Sequence, residues 1–296
     1  MEHSAQVREI LAALLPSADA QWEITRLCHE EDGAPYDVWR IDAGEKRWIL
    51  KKAKEYEYEV YTSFFPKSCP YVPQLENAVC FGADCYLLEQ FVPGHNLQKC
   101  TRADLQAALD SLIGLQAAYW ENQEKAGCCY SFTKSLLGRQ KRGRYLNHPI
   151  LEQAYERFLA AYETVPRTLC HDDLLPFNIL VHDGRACIID WEYAGILPYP
   201  TALARLLAHG TENPDDFFVL SEADRQFGID YYYDHLIRQK GIPYEDYRRT
   251  LTLFFFYEYC EWVFVGNRYG STEGTYYQRY LPIALRQAEE ILKQSR

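Results

Sequence analysis

Two apolar, strand-forming runs flank the pair Asp183-Gly184, and polar side chains stand at their outer ends. An Asp-Gly pair between such runs favours a two-residue type I′ turn, because both central residues of that turn need positive φ. Asn178 precedes the first run and Asp190 follows the second, so the predicted hairpin brings them side by side. Asp173 lies in the polar loop just before the hairpin. The spacing therefore gathers these oxygen-bearing side chains at one end of a hairpin.

These side chains are suited to a particular chemistry. Mg²⁺ is a hard ion that takes one or two carboxylates together with other oxygen ligands and substrate phosphates. Asn178 and Asp190 are therefore the predicted Mg²⁺ ligands. The carboxylate of Asp173, close to them, can accept the proton of an attacking hydroxyl. The residue types thus predict a metal site beside a proton acceptor.

The order His171-x-Asp173, Asn178 and then Ile189-Asp190 is similar to the H-x-D-x-x-x-x-N and I-D pattern of phosphotransferases. The stretch His-Asp-Asp-Leu-Leu-Pro-Phe-Asn-Ile-Leu, followed by Asp-Trp-Glu-Tyr-Ala-Gly, resembles the aminoglycoside phosphotransferase and choline kinase family. The resemblance implies an α+β, two-lobed protein-kinase-like fold with a small antiparallel-sheet N-lobe and a mostly helical C-lobe. It also implies transfer of the γ-phosphoryl group of ATP, or of GTP, to a hydroxyl, with His171 bracing the loop. Asp-Trp-Glu in place of D-F-G argues against a protein kinase.

A lysine at the end of an apolar strand resembles the family's lysine, and the resemblance implies that it contacts the nucleotide phosphates. Lys51 follows the apolar pair Ile49-Leu50 directly, which favours it over Lys52. A helical segment with Glu57 and Glu59 comes next, and the resemblance implies that one of these glutamates pairs with the lysine. Glu59 is the predicted partner, and Glu57 is the alternative.

The segment Glu89-Gln90-Phe91 ends a predicted strand and leads into a short Pro-Gly connector. In the family this connector offers backbone groups to the adenine, so Glu89, Gln90 and Phe91 are the predicted contacts. The lobe boundary is placed near Val92, which gives a nucleotide-binding lobe over 1–92 and a helical catalytic and substrate-binding lobe over 93–296. The loop over 29–35, which would cover the phosphates, has a single glycine and departs from G-x-G-x-x-G.

Hydrophobic periodicity predicts the elements around these residues. Strands are predicted over 22–28, 36–41, 47–51, 78–81 and 85–88. Helices are predicted over 5–15, 101–119, 147–162, 221–239, 244–265 and 275–294.

Acceptor-binding side chains are expected on the C-terminal helices. Glu258, Glu261 and Trp262 are neighbours at positions i, i+3 and i+4 of a helix. Carboxylates beside an aromatic face suit a cationic alcohol, such as an aminoglycoside or a choline-like amine. Glu192, two residues beyond Asp190, is a further candidate. The alternative is an ordinary core helix whose glutamates reach solvent or pair with Arg248 or Arg249.

Composition limits the classes of function. The 296 residues carry 31 basic and 42 acidic side chains, a net charge of −11, which argues against nucleic acid or an anionic membrane as partner and mildly favours a cationic substrate. The most apolar run, 251–265, contains two glutamates and is too short to span a bilayer. The ten cysteines include no C-x-x-C pair, so most are expected to be reduced core residues in a cytoplasmic protein.

Two departures from the family pattern matter for function. The glycine-poor loop over 29–35 favours an alternative, an inert kinase-like binding protein of the spore-coat type. The intact Asp173, Asn178 and Asp190 favour an active small-molecule kinase instead. Ala202-Leu203-Ala204 stands where the family usually has D-L-A, which leaves the phosphotransfer residues untouched but weakens any carry-over of an aminoglycoside site.

Overall fold

A computed structural model describes residues 2–15, 22–28, 33–54, 56–65 and 68–293. Strands dominate the first part of the described chain, and helices dominate the rest. The strands are β1 (Glu23–Cys28), β2 (Pro35–Ala43), β3 (Lys46–Lys52), β4 (Leu75–Phe81), β5 (Asp84–Gln90), β6 (His95–Asn96), β7 (Arg167–Cys170), β8 (Ile179–His182), β9 (Arg185–Ile188) and β10 (Gly195–Pro198). The helices are α1 (Glu2–Leu14), α2 (Glu57–Phe64), α3 (Arg102–Ala118), α4 (Phe132–Gly143), α5 (Pro149–Thr164), α6 (Pro200–Leu207), α7 (Glu222–Tyr232), α8 (Tyr244–Tyr269) and α9 (Thr275–Lys293).

The predicted α+β kinase-like architecture is confirmed. An antiparallel sheet with strand order β1-β2-β3-β5-β4 comes first, and two small sheets, β6-β8-β9 and β10-β7, lie among the later helices. The predicted helix over 221–239 is α7 followed by a π-helical turn and a 3₁₀ turn that end at Lys240. The lobe boundary near Val92 stays a prediction; β5 ends at Gln90, and the next strand, β6, pairs with β8.

The alternation of side chains along β3 decides which of them face α1 and which face α2. Trp48 and Leu50 pack in a small apolar core beneath α1, whose buried side chains include Leu11. Successive residues of a strand point to opposite faces. Lys51 therefore faces away from α1, towards α2, as does Leu87 of the neighbouring strand β5, which belongs to the larger core. The small core beneath α1 thus lies on one face of the sheet, and Lys51 lies on the other face.

The hairpin β8–β9 has the predicted register. His182 pairs with Arg185, and the two turn residues Asp183 and Gly184 have φ values of 47° and 73°. At the other end of the hairpin, one step beyond the last pair, Ile179 and Ile188, the Ile189 amide donates to the Asn178 carbonyl at 2.9 Å. This bond closes the open end of the hairpin and places Asp190 directly beside Asn178.

The segment that leads into β4 also contacts the hairpin. The Tyr71 carbonyl accepts a hydrogen bond of 2.8 Å from the Ile188 amide of β9. The Tyr71 ring lies against Gly114 of α3, where an added Cβ would come within 2.3 Å of the ring. Gly114 therefore provides the space that this contact needs.

Aromatic packing holds the helical part together around α8. Phe158 of α5 stacks on Tyr257 of α8 with 4.6 Å between ring centroids, and Phe254 meets Phe158 edge-on at 5.3 Å. No helix in the described ranges is long and apolar enough to cross a membrane.

One pair of cysteines departs from the reduced state that is expected for most of them. Cys80 and Cys85 form a disulfide, because β4 and β5 place them directly opposite each other with their Cα atoms 4.0 Å apart. The other eight cysteines are free, as expected for most of them. Only Cys129, Cys170 and Cys260 of those eight are buried, so the expectation of core positions holds for a minority.

Candidate active site

His171 fixes the start of the loop that carries the predicted proton acceptor. Its Nε2–H donates to the Ile189 carbonyl at 2.7 Å, and its ring packs 4.8 Å from that of Trp191. Burial lowers the pKa of His171, so the ring is neutral at neutral pH. The side chain ties the loop to the residue before Asp190.

Asn178 is oriented by the same loop. Its Nδ2 donates to the Asp173 carbonyl at 2.9 Å, which leaves the amide oxygen free to face a cation. The described residues contain no group of three or more His, Cys, Asp or Glu side chains that would hold a metal alone. Asn178 and Asp190 supply hard oxygen donors, so they fit a Mg²⁺ ion whose remaining ligands are phosphate oxygens and water.

Lys51 connects the sheet to Asp190. Its ammonium forms an ion pair with Asp190 and another with Glu57, the latter at 2.6 Å. Burial alone would lower the pKa of Lys51, but the carboxylates of Glu57 and Asp190 raise it well above its usual value. Burial also disfavours the ionised form of Asp190, yet the Lys51 ammonium holds the pKa of that carboxyl below its usual range.

The pairing predicted for Glu59 is wrong, and the alternative, Glu57, forms it. Helix α2 begins at Glu57, whose side chain is completely buried, whereas Glu59 is exposed. Two residues correspond to about 200° around a helix, so the two glutamates cannot face the same strand. Because α2 begins at Glu57, this glutamate is the one that faces Lys51.

Glu89, at the end of β5, is enclosed beside the same lysine. Burial raises the pKa of Glu89 to about 8, with Lys51 opposing the shift and Glu57 adding to it. The Tyr61 side chain of α2 lies against it and is also buried. The Glu89 side chain thus belongs to the interior behind the lysine, and its residue is paired with Ile49 of β3 and Leu75 of β4.

Two backbone donors among the predicted adenine contacts are already used. The Gln90 amide donates to the Gln74 carbonyl at 2.9 Å, and the Phe91 amide donates to the Arg47 carbonyl at 3.1 Å. The adenine contact at this connector stays a prediction. In the predicted phosphate loop, residues 29–32 lie outside the described residues, and Gly33 has a φ of 70°.

A polar pocket of about 320 Å³ opens beside Asp173. Its walls come from the loop with Asp173, from the loops before α4 and after Asp190, and from α4, α6 and α8. The lining residues are Tyr130, Arg139, Arg142, Asp172, Asp173, Tyr193, Arg205, Tyr257, Glu258 and Glu261. Since Asp173 is the predicted proton acceptor, this pocket is the predicted place for an acceptor hydroxyl, and we call it the acceptor pocket.

The predicted acceptor residues of α8 divide into two groups. Glu258 and Glu261 line the pocket, but each has an arginine partner: Arg205 at 2.9 Å and Arg142 at 3.3 Å. Trp262 lies away from the pocket, because its ring stacks on Tyr276 of α9 with 4.3 Å between centroids. The side chain of Trp262 is therefore part of helix packing.

Glu192 lies on the nucleotide side of Asp173. Its carboxylate is 3.8 Å from the Lys54 ammonium and does not line the acceptor pocket. Burial, assisted by the nearby Asp190, raises the pKa of Glu192.

Three arginines of the pocket were not anticipated. Arg139 is buried between the rings of Tyr162 and Tyr257 and forms an ion pair of 2.6 Å with Asp172. Arg142 and Arg205 have the glutamate partners named above. The run Gly-Arg-Gln-Lys-Arg over 138–142 was a visible signal, since residues 139 and 142 share a helix face.

The sheet, the hinge-like connector and the loop–hairpin site define a protein-kinase-like phosphotransferase. The sequence profile of the APH phosphotransferase enzyme family matches residues 30–235, and the chain belongs to this family. The curated relative LicA of Haemophilus influenzae is 27% identical over 124 residues, which is 41% of this chain and 44% of that protein. The chain thus matches less than half the length of this relative.

Solved structures show the same fold at low identity. Choline kinase LicA from Streptococcus pneumoniae superposes with a TM-score of 0.57 at 15% identity, over 96% of this chain and 99% of that one. A thermostable APH(4)-Ia mutant in a ternary complex with AMP-PNP and hygromycin B gives a TM-score of 0.56 at 15% identity, over 98% of each chain.

Proposed function

We propose that this phosphotransferase uses Mg²⁺ and ATP, with GTP as the alternative donor, to phosphorylate a hydroxyl of a small molecule. The observation that carries the proposal is the junction of Lys51, Glu57 and Asp190 beside the loop that holds Asp173 and Asn178. It joins a phosphate-binding cation, a metal-binding carboxylate and a proton acceptor in one cleft.

Each residue has a separate task in this proposal. Lys51, fixed by Glu57, neutralises phosphate charge, and His171 keeps the Ile189-Asp190 backbone in place. Asp173 orients the acceptor hydroxyl and takes its proton. Mg²⁺, held by Asn178 and Asp190, neutralises charge on the transferring phosphoryl group when it is bound.

For the acceptor, we propose a small cationic alcohol. Two features of the pocket lining support this class. The lining has one more carboxylate than it has arginines, and it includes the neighbouring rings of Tyr130 and Tyr193. Aromatic faces beside carboxylates bind ammonium groups. The names of the similar proteins include a choline kinase and aminoglycoside phosphotransferases, which agrees with this class.

A nucleotide-binding experiment tests the proposal against the inert alternative. Millimolar Mg·ATP should raise the melting temperature of the wild-type protein, because a ligand that binds only the folded state stabilises it by mass action. Mg·GTP, ATP without Mg²⁺ and a panel of amines and aminoglycosides complete the test. If Mg·ATP and Mg·GTP both leave the melting temperature unchanged, the inert binding protein is the better description.

A further inference from the structure

The Arg205 side chain directly contacts the carboxylate of Asp173, the predicted proton acceptor. It follows Ala202-Leu203-Ala204 in α6, the place where the usual acid is missing. Its guanidinium donates to Asp173 Oδ1 from Nε at 3.1 Å and from Nη2 at 2.9 Å. Within the described residues, these are the hydrogen bonds made by the Asp173 carboxylate, so Oδ2 is left for an acceptor hydroxyl.

Glu258 holds the guanidinium from its other side. Arg205 Nη1 donates to Glu258 Oε2 at 2.9 Å, and Glu258 is only 3% exposed. Burial disfavours its ionised form, but Arg205 holds the pKa of Glu258 below its usual range. His209 Nε2 lies 3.5 Å from the same oxygen, and burial lowers the pKa of His209, so the ring is neutral. Arg205 is thus the permanent cation for both carboxylates.

We propose that Arg205 is the positioning residue for Asp173 and that Glu258 supports Arg205 rather than the acceptor. The inference rests on the proposed function. A guanidinium presents donors along two edges in a fixed plane, so it bridges two carboxylates in a defined orientation that the point charge of a lysine ammonium does not impose. Helices α6 and α8 carry Arg205 and Glu258, and Asp173 lies on a loop. The two helices therefore impose one orientation on a carboxylate that its own loop does not fix.

If Arg205 acts through Asp173, the effect of replacing Arg205 should depend on whether Asp173 is present. Arg205→Gln should lower the rate of Mg·ATP hydrolysis, with water as the acceptor, by about 10- to 100-fold, part of the 10²–10⁴-fold that a positioned base contributes. The KM for Mg·ATP should be unchanged. In an Asp173→Asn background, Arg205→Gln should change the rate by less than about twofold, because residues that act through one another are not additive.

Matched controls separate positioning from folding. Arg279→Gln removes another Arg–Asp pair of the same lobe, that with Asp216, and should leave hydrolysis unchanged. If Arg205→Gln does not fold because Glu258 loses its counter-charge, the double variant Arg205→Gln/Glu258→Gln is used in its place. The double variant removes one positive and one negative buried charge together. Equal losses in the wild-type and Asp173→Asn backgrounds would overturn the proposal.

A crystal structure of the Arg205→Gln variant distinguishes failure of this inference from failure of the proposed function. The Asp173 carboxylate should leave its wild-type position while the loop backbone and the His171–Ile189 bond stay in place. An unmoved carboxylate would refute positioning by Arg205 whatever the enzyme does. Absence of any Mg·ATP hydrolysis or binding by the wild type would refute the kinase proposal instead, and the crystal structure would still decide the role of Arg205.

Discussion

The two ends of the active-site cleft carry charge in different ways. Around Lys51, one ammonium serves two carboxylates, those of Glu57 and Asp190, while Glu89, whose pKa burial raises to about 8, is mostly protonated at neutral pH. In the acceptor pocket, three arginines face four carboxylates, and each arginine has a carboxylate partner. At the first end two carboxylates share one cation, so a metal ion can become the counter-charge of Asp190, whereas at the second end each cation has its own carboxylate. We therefore expect Mg²⁺ to bind chiefly by charge, and the acceptor to bind by shape and by orientation at Asp173, with the one carboxylate in excess for its ammonium group.

The largest expected effects separate the two ends. Asp190→Ala should abolish the Mg²⁺-dependent thermal stabilisation by ATP, because it removes a metal-binding carboxylate. Asp173→Asn should keep that stabilisation and lower turnover by about 10²–10⁴-fold. Thermal shift and steady-state kinetics on both variants measure this directly. Loss of nucleotide binding in Asp173→Asn would mean that the two ends are not separable.

A smaller effect tests the shared lysine. Glu57→Gln removes the buried partner of Lys51 and leaves the ammonium to Asp190 alone, so turnover should fall by about 10-fold or more while the fold is kept. Glu59→Gln is the matched control on the same helix and should change turnover by less than about twofold, because that side chain is exposed. Equal effects of the two substitutions on turnover would contradict the assignment of Glu57.

The smallest effect is one of pH and stability at the nucleotide end. Burial raises the pKa of Glu89 from 4.5 to about 8, so folding takes up a proton between these values. The Glu89 contribution to stability is fully present below about pH 4.5 and is lost as the pH rises through about 8. Glu89→Gln removes this dependence, so its melting temperature relative to wild type should rise by at least about 2 °C from pH 5 to pH 8, or about 1 kcal/mol. A difference in melting temperature between variant and wild type that stays constant from pH 5 to pH 8 would refute this prediction.

Local sequence was sufficient for the catalytic hairpin. The Asp183-Gly184 turn and the apolar runs on either side determine the register, and the structure reproduces it. The choice between Glu57 and Glu59 was harder, because it depends on the residue at which α2 begins. That start is set by packing against the sheet and not by a strong capping signal, since Tyr56 at the N-cap makes no side-chain cap.

The acceptor pocket was the least predictable part. Arg205 lies 32 residues from Asp173 and 53 from Glu258 in sequence, so no local pattern indicates that they meet. The spacing of Glu258 and Glu261 placed both on one helix face correctly, yet spacing carries no information about which charges oppose them. The net charge of −11 likewise does not describe a pocket that holds three arginines.

The contact of Tyr71 with the hairpin has a mechanical consequence. The chain over 91–94 joins the five-stranded sheet to the helical part, and the hydrogen bond from Ile188 to Tyr71 is a second link between them. On the α2 side, the Phe65 ring packs against that of Trp191 with 4.9 Å between centroids. Links on several sides limit how far the sheet can move against the hairpin, so we expect the separation of Lys51 and Asp190 to vary little when a nucleotide enters. The space left by Gly114 holds the Tyr71 ring of the second link in place.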